Sequence, residues 1–97
     1  MKGELGEVLE RLYRIIEERK EKRPEGSYTA ELFKKGQDRI LQKVGEEAIE
    51  SILALKSGRK EEAVYEVADL LYHLLVALVD SGIKPDEIAE ELKRRMK

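Results

Sequence analysis

The chain has no cysteine. Disulfide staples, thiolate metal sites and cysteine nucleophiles are excluded together, and the fold has to rest on packing. Neither sign of charge dominates: 19 basic against 21 acidic side chains leave a net charge of −2. There is no overall positive field to favour nucleic acid or an anionic membrane surface, so a polyanionic substrate must be met locally. Long apolar runs are missing too. The longest, Val67 to Val79, covers 13 residues and is interrupted by Asp69 and His73, short of the roughly 20 that a spanning helix needs. The start, Met1-Lys2-Gly3-Glu4, leads into a charged helical pattern without an apolar signal core, and a cytoplasmic address is expected. No segment alternates as a half-buried strand does, and no internal repeat or linker-like loop is present.

What is there is helix. The 97 residues, 41% apolar and 41% charged, suit one compact domain over residues 1–97 with a small core. The wealth of Glu, Lys and Arg, with only two Gln and no Asn, is a composition often met in heat-adapted proteins. Leu5, Val8, Leu9, Leu12, Ile15 and Ile16 recur at helical spacing, and a polar continuation runs to Arg23-Pro24-Glu25-Gly26, where the pattern breaks. Ser27 or Thr29 can cap a short second helix carrying Leu32 and Phe33, with a break at Gly36. A third helix holds Ile40 to Leu55 and stops at Ser57-Gly58. A fourth, roughly Lys60 to Ser81, is apolar nearly all round from Val67 to Val79. Pro85 opens a fifth that offers only Ile88, Ala89, Leu92 and Met96 for packing. The class is all-α, a bundle of four to five helices. Neighbours from one chain cover the fourth helix only in part, so a second subunit is expected to complete the bundle.

The chemistry lies in two acidic pairs. Glu47 and Glu50 are three residues apart on the third helix, about 60° around its axis, so their carboxylates leave one face from neighbouring turns. Glu66 and Asp69 repeat the spacing on the fourth helix, and Asp69 falls inside the most apolar stretch of the chain, where an unpaired carboxylate is costly. As solvated surface positions the glutamates need no explanation in so acidic a chain; Asp69 does. A divalent cation between the helices relieves both the like-charge repulsion and the burial of Asp69. Oxygen donors and at most one imidazole favour Mg²⁺, with Mn²⁺ as substitute, over Zn²⁺. Lys34, Lys35, Arg39 and Lys43 form a basic cluster leading into the acidic helix, and Lys43, one turn before Glu47, can reach a metal-bound phosphate. Ser27, Tyr28 and Thr29 are candidates for ribose or phosphate contacts, with Tyr28 able to stack on a base. Ser or Thr serves equally as a helix cap. His73, one turn past Asp69, is placed to hydrogen-bond that carboxylate.

Three blocks, Ser27-Tyr28-Thr29-Ala30-Glu31-Leu32-Phe33, Lys43-Val44-Gly45-Glu46-Glu47-Ala48-Ile49-Glu50 and Tyr65 through Val76, together resemble the phosphoribosyl-ATP pyrophosphohydrolases of histidine biosynthesis. The Glu-x-x-Glu and Glu-x-x-Asp pairs alone resemble the wider MazG-like all-α pyrophosphohydrolases. The resemblance implies a homodimeric enzyme cleaving phosphoribosyl-ATP between its α and β phosphates to phosphoribosyl-AMP and pyrophosphate, the second step of the pathway. It implies that Glu47, Glu50, Glu66 and Asp69 are catalytic metal ligands, with Glu46 a nearby acid that orients water or the ligands. In many relatives a cyclohydrolase for the next step is fused to this domain. Here the chain ends at Lys97, and the cyclohydrolase is expected as a separate protein. A carboxylate-bridged di-iron bundle is disfavoured because it usually takes two Glu-x-x-His pairs, and there is one histidine. A purely structural helical dimer leaves Asp69 unexplained. A relative acting on free nucleoside triphosphates shares the metal site and remains the competing reading.

Overall fold

The structure is a computed structural model that describes residues 3–96; Met1, Lys2 and Lys97 lie outside the described residues, and with them the first two positions of the leader expectation. Five helices follow in order: α1 (Glu4–Lys22), α2 (Tyr28–Lys35), α3 (Gln37–Ser57), α4 (Lys60–Ser81) and α5 (Pro85–Arg94), with no strand among the described residues. The boundaries follow local chemistry. Arg23 ends α1 in a left-handed conformation directly before Pro24, which cannot continue a helix. Ser27 caps α2, its hydroxyl oxygen accepting the Ala30 N–H at 3.1 Å. Of the two residues proposed as caps, Ser27 does the work, and Thr29 lies within the helix.

Gly36 joins α2 to α3 with φ 100° and ψ 178°, a region of backbone space essentially reserved for glycine. Its lack of a side chain lets a helix end and another begin within one residue, so the basic stretch of α2 leads directly into α3. Only residues 58 and 59 separate α3 from α4, and the two helices lie against each other as an antiparallel hairpin.

The core gathers Tyr13 and Ile16 of α1, Leu32 and Phe33 of α2, Ile40 of α3, and Leu75, Val76 and Val79 of α4. Ile16, Ile40 and Val76 are wholly removed from solvent, each burial worth about 1.5–3 kcal/mol. Tyr13 donates its hydroxyl to the Ile83 carbonyl at 2.8 Å and ties α1 to the end of α4. This core fills the half of the molecule holding the C-terminal part of α4. In the other half, the middle of α3 and the N-terminal part of α4 face each other across Ser51 and Ala54, and the acidic pairs lie there.

As its sequence implied, α4 is incompletely covered. Val64, Tyr65 and Leu74 are exposed, as are Ile49, Ile52, Leu53 and Leu55 of α3. No residue of α5 is buried. No helix among the described residues is long and apolar enough to cross a membrane.

Candidate metal and phosphate site

Helix α3 turns Glu47 inward on the same face as Ser51 and Ala54, a consequence of the i, i+4, i+7 spacing. Glu47 is only 4% exposed. It is the carboxylate common to two clusters: with Glu50 and Glu66 it places oxygens within 4.8 Å of one another, and with Asp69 and His73 it forms a second group of the same span. The two acidic pairs are therefore brought together across the hairpin, with Glu47 at the centre.

This corrects the expectation from the apolar pattern of α4. Asp69 is not the buried acid; its side chain is 34% exposed. The residues flanking it in sequence are apolar, but they spread around the helix, and several of those sides face solvent. Burial falls instead on Glu47, because the inner face of α3 is pressed against α4 at that level.

Two buried oxygens, Glu47 Oε1 and Glu66 Oε1, have no hydrogen-bond partner. Loss of hydration, then the charge and hydrogen-bonding approach of Glu50 and the charges of Glu47 and Asp69, raise the Glu66 carboxyl above its ordinary pKa. While both are ionised, Glu50 and Glu66 have no proton to share, so the arrangement lacks a donor or a cation. Oxygen-only donors on two rigid helices with unpartnered buried lone pairs fit a hard divalent ion.

His73 is 3% exposed and fully engaged. Its Nδ1 lies 2.8 Å from the Asp69 main-chain carbonyl and 3.4 Å from Asp69 Oδ1. Facing only acceptors, Nδ1 carries the proton, so Nε2 accepts from the Tyr28 hydroxyl at 2.7 Å. The closer contact to Asp69 is thus with its carbonyl rather than the carboxylate anticipated from the sequence. Both ring nitrogens of His73 are thus engaged in hydrogen bonds.

The Ser-Tyr-Thr segment divides. Ser27 is the cap of α2. Thr29 is buried, and its hydroxyl is hydrogen-bonded to that of Tyr72, which anchors α2 to α4. Tyr28 remains 51% exposed, edge-on to His73, and burial is the first cause of the raised pKa of its hydroxyl. Of the basic residues, Lys43 reaches the acids: its Nζ is 3.3 Å from Glu47 Oε2 and 3.8 Å from Glu46 Oε1. Burial alone would lower its pKa; the hydrogen bond to Glu47, with the charges of Tyr28, Glu47 and Glu46, outweighs that and raises it. Arg39 is near enough for its charge to act on Tyr28. Lys35 is exposed, while Lys34 pairs with Glu31 at 3.5 Å. Glu46 lies outside both carboxylate groups and is held by Gln42 at 3.2 Å.

Sequence reasoning missed Ser51, Tyr72 and Arg59. Ser51 donates to the Glu66 carbonyl at 3.1 Å and fixes α3 to α4 between the acids; its position one turn after Glu47 was an available signal. Tyr72 left none. Arg59 lines a cavity of about 270 Å³ with Glu50, Ser57, Glu62 and Glu66. A cavity of about 530 Å³ bounded by Leu9, Leu74, Leu78, Ile88 and Leu92 is apolar and contains neither acidic pair. The unpartnered buried carboxylates, Glu47 and Glu66, lie outside that cavity.

An all-α chain in which Glu47 and Glu50 of one helix come together with Glu66 and Asp69 of the next, beside Lys43, carries a donor set that could hold a hard cation. Comparison with known proteins narrows this. Residues 9–96 match the sequence profile of the family described as phosphoribosyl-ATP pyrophosphohydrolase. A phosphoribosyl-ATP pyrophosphatase of Saccharolobus islandicus is 50% identical over 91 residues, covering 94% of this chain and 97% of the relative. A protein of the same name from Geobacter sulfurreducens is 53% identical over 93 residues, covering 96% and 86%. The chain belongs to the phosphoribosyl-ATP pyrophosphohydrolase family.

Proposed function

We propose that this chain is a single-domain, cytoplasmic enzyme hydrolysing phosphoribosyl-ATP to phosphoribosyl-AMP and pyrophosphate, the second step of histidine biosynthesis, with Mg²⁺ as its ion and Mn²⁺ as substitute. Family membership supports the substrate. The observation that carries the metal site is Glu47, buried, with one oxygen unpartnered, beside Glu50 and the facing Glu66.

In this reading Glu47, Glu50, Glu66 and Asp69 hold the ion. Bound there, it supplies charge neutralisation on the triphosphate and acidifies water. The remaining work belongs to the chain. Lys43 and Arg39 bind phosphate oxygens and set the α phosphorus against the attacking water. One carboxylate of the cluster accepts that water's proton. The half-exposed ring of Tyr28 offers a face to the base while its hydroxyl stays on His73. The uncovered apolar surfaces of α3 and α4 favour a homodimer, whose second subunit covers them.

The test is pyrophosphate release from phosphoribosyl-ATP, and from a panel of nucleoside triphosphates, with Mg²⁺. Turnover of the panel but not of phosphoribosyl-ATP rejects the substrate. E47Q and D69N are expected to abolish turnover at near-native helix content; full activity in both rejects the ligand assignment.

A further inference from the structure

Lys43 stands in an unusual relation to the acids. Its ammonium touches the buried Glu47 on Oε2, leaving Oε1 unpartnered, and its side chain is only 20% exposed. Among the described residues no lysine or arginine nitrogen comes within ion-pair distance of Glu50, Glu66 or Asp69. One unit charge therefore answers a group of four carboxylates, and it does so at the acid shared by both clusters.

A buried carboxylate without a counter-charge is costly, and a lysine at i−4 can stand beside it on the helix surface. A lysine is also a flexible point charge that can leave when a stronger cation arrives. Glu46, at 3.8 Å and exposed, offers an alternative partner on the solvent side. Building on the metal reading above, we infer that Lys43 is a resident counter-ion: a positioning residue that holds Glu47 in place in the metal-free protein, competes with the divalent ion for it, and on being displaced turns its ammonium outward to the substrate's phosphates. The same residue thus couples filling of the metal site to readiness of the phosphate site.

A merely structural lysine and a competing one give opposite signs. Mn²⁺ alone is titrated calorimetrically into the wild type, K43Q and K43R. K43Q is expected to bind Mn²⁺ at least about tenfold more tightly, since a unit and a divalent charge about 6 Å apart repel by roughly that factor even at the dielectric constant of water, and by more near the protein surface; K43R should stay near wild type. Unchanged or weaker binding by K43Q overturns the inference while leaving the metal site intact. A wild type that binds no Mn²⁺ overturns the metal reading as well. Should K43Q not fold, the wild type itself decides: acylation of Lys43 by an amine reagent, read by peptide mass spectrometry, should rise on adding Mn²⁺, and a constant or falling yield rejects displacement.

Discussion

Replacing Tyr28 by phenylalanine isolates one contact under the site. The ring is half-exposed and its packing is retained, so the change removes the hydroxyl that donates to His73 Nε2 at 2.7 Å. His73 cannot compensate by turning over, because its Nδ1 proton is held by the Asp69 carbonyl at 2.8 Å. A buried acceptor left without its donor costs about 1–3 kcal/mol, and water entering the vacated space from the exposed side of Tyr28 places the expected loss near the lower end, about 1–1.5 kcal/mol. For a domain of about 100 residues each kcal/mol moves the melting temperature by about 4–8 °C, so Y28F should melt roughly 4–12 °C below the wild type. Melting is followed by circular dichroism in chelator at fixed protein concentration, which removes metal linkage and holds association constant. A shift under about 2 °C would falsify the hydrogen-bond assignment, since even the smallest expected cost gives about twice that.

Other expectations follow from neighbouring features. Glu66 carries a raised pKa, so its protonated form favours the fold; that contribution is present below the ordinary carboxyl value of 4.5 and is lost as pH rises through the raised one. Metal-free E66Q should therefore be more stable than wild type at neutral pH, with the gap closing towards acid in urea titrations, and a variant less stable at neutral pH contradicts the reading. At Gly36 an added methyl meets nothing within 4 Å, so G36A measures backbone strain alone and should cost about 1–3 kcal/mol by denaturant unfolding; no loss means that the α2–α3 junction is relaxed in solution. Chelation should abolish turnover. Mg²⁺ at a hundredfold excess over its Kd should stabilise the wild type by about 2.7 kcal/mol, with a smaller gain for D69N; equal gains would remove Asp69 from the ligand set.

The helices were legible because their ends are written in local chemistry. The anticipated fourth helix, roughly Lys60 to Ser81, matches α4, since Gly82 takes the left-handed conformation that stops it. The acidic pairs were legible from spacing, which fixes the face of a helix irrespective of its tertiary partners. Which acid is buried was not. Asp69 stands among apolar residues in sequence and beside solvent in space, whereas Glu47, in a glutamate-rich stretch, faces the other helix. The fates of Tyr28 and Thr29 were hidden for a similar reason: their partners His73 and Tyr72 lie more than forty residues away on α4, and periodicity within one helix carries no signal of contacts at that separation.

The two-residue connection between α3 and α4 has a kinetic consequence. All four acids fall between residues 47 and 69, on a hairpin whose closure brings together only segments near in sequence and so carries a small entropic barrier. The acids meet as soon as this hairpin zips, before α1 or α5 need dock, and their mutual repulsion then opposes an early step of folding rather than a late one. A divalent ion present during refolding should accordingly accelerate the folding limb of the chevron as well as retard unfolding.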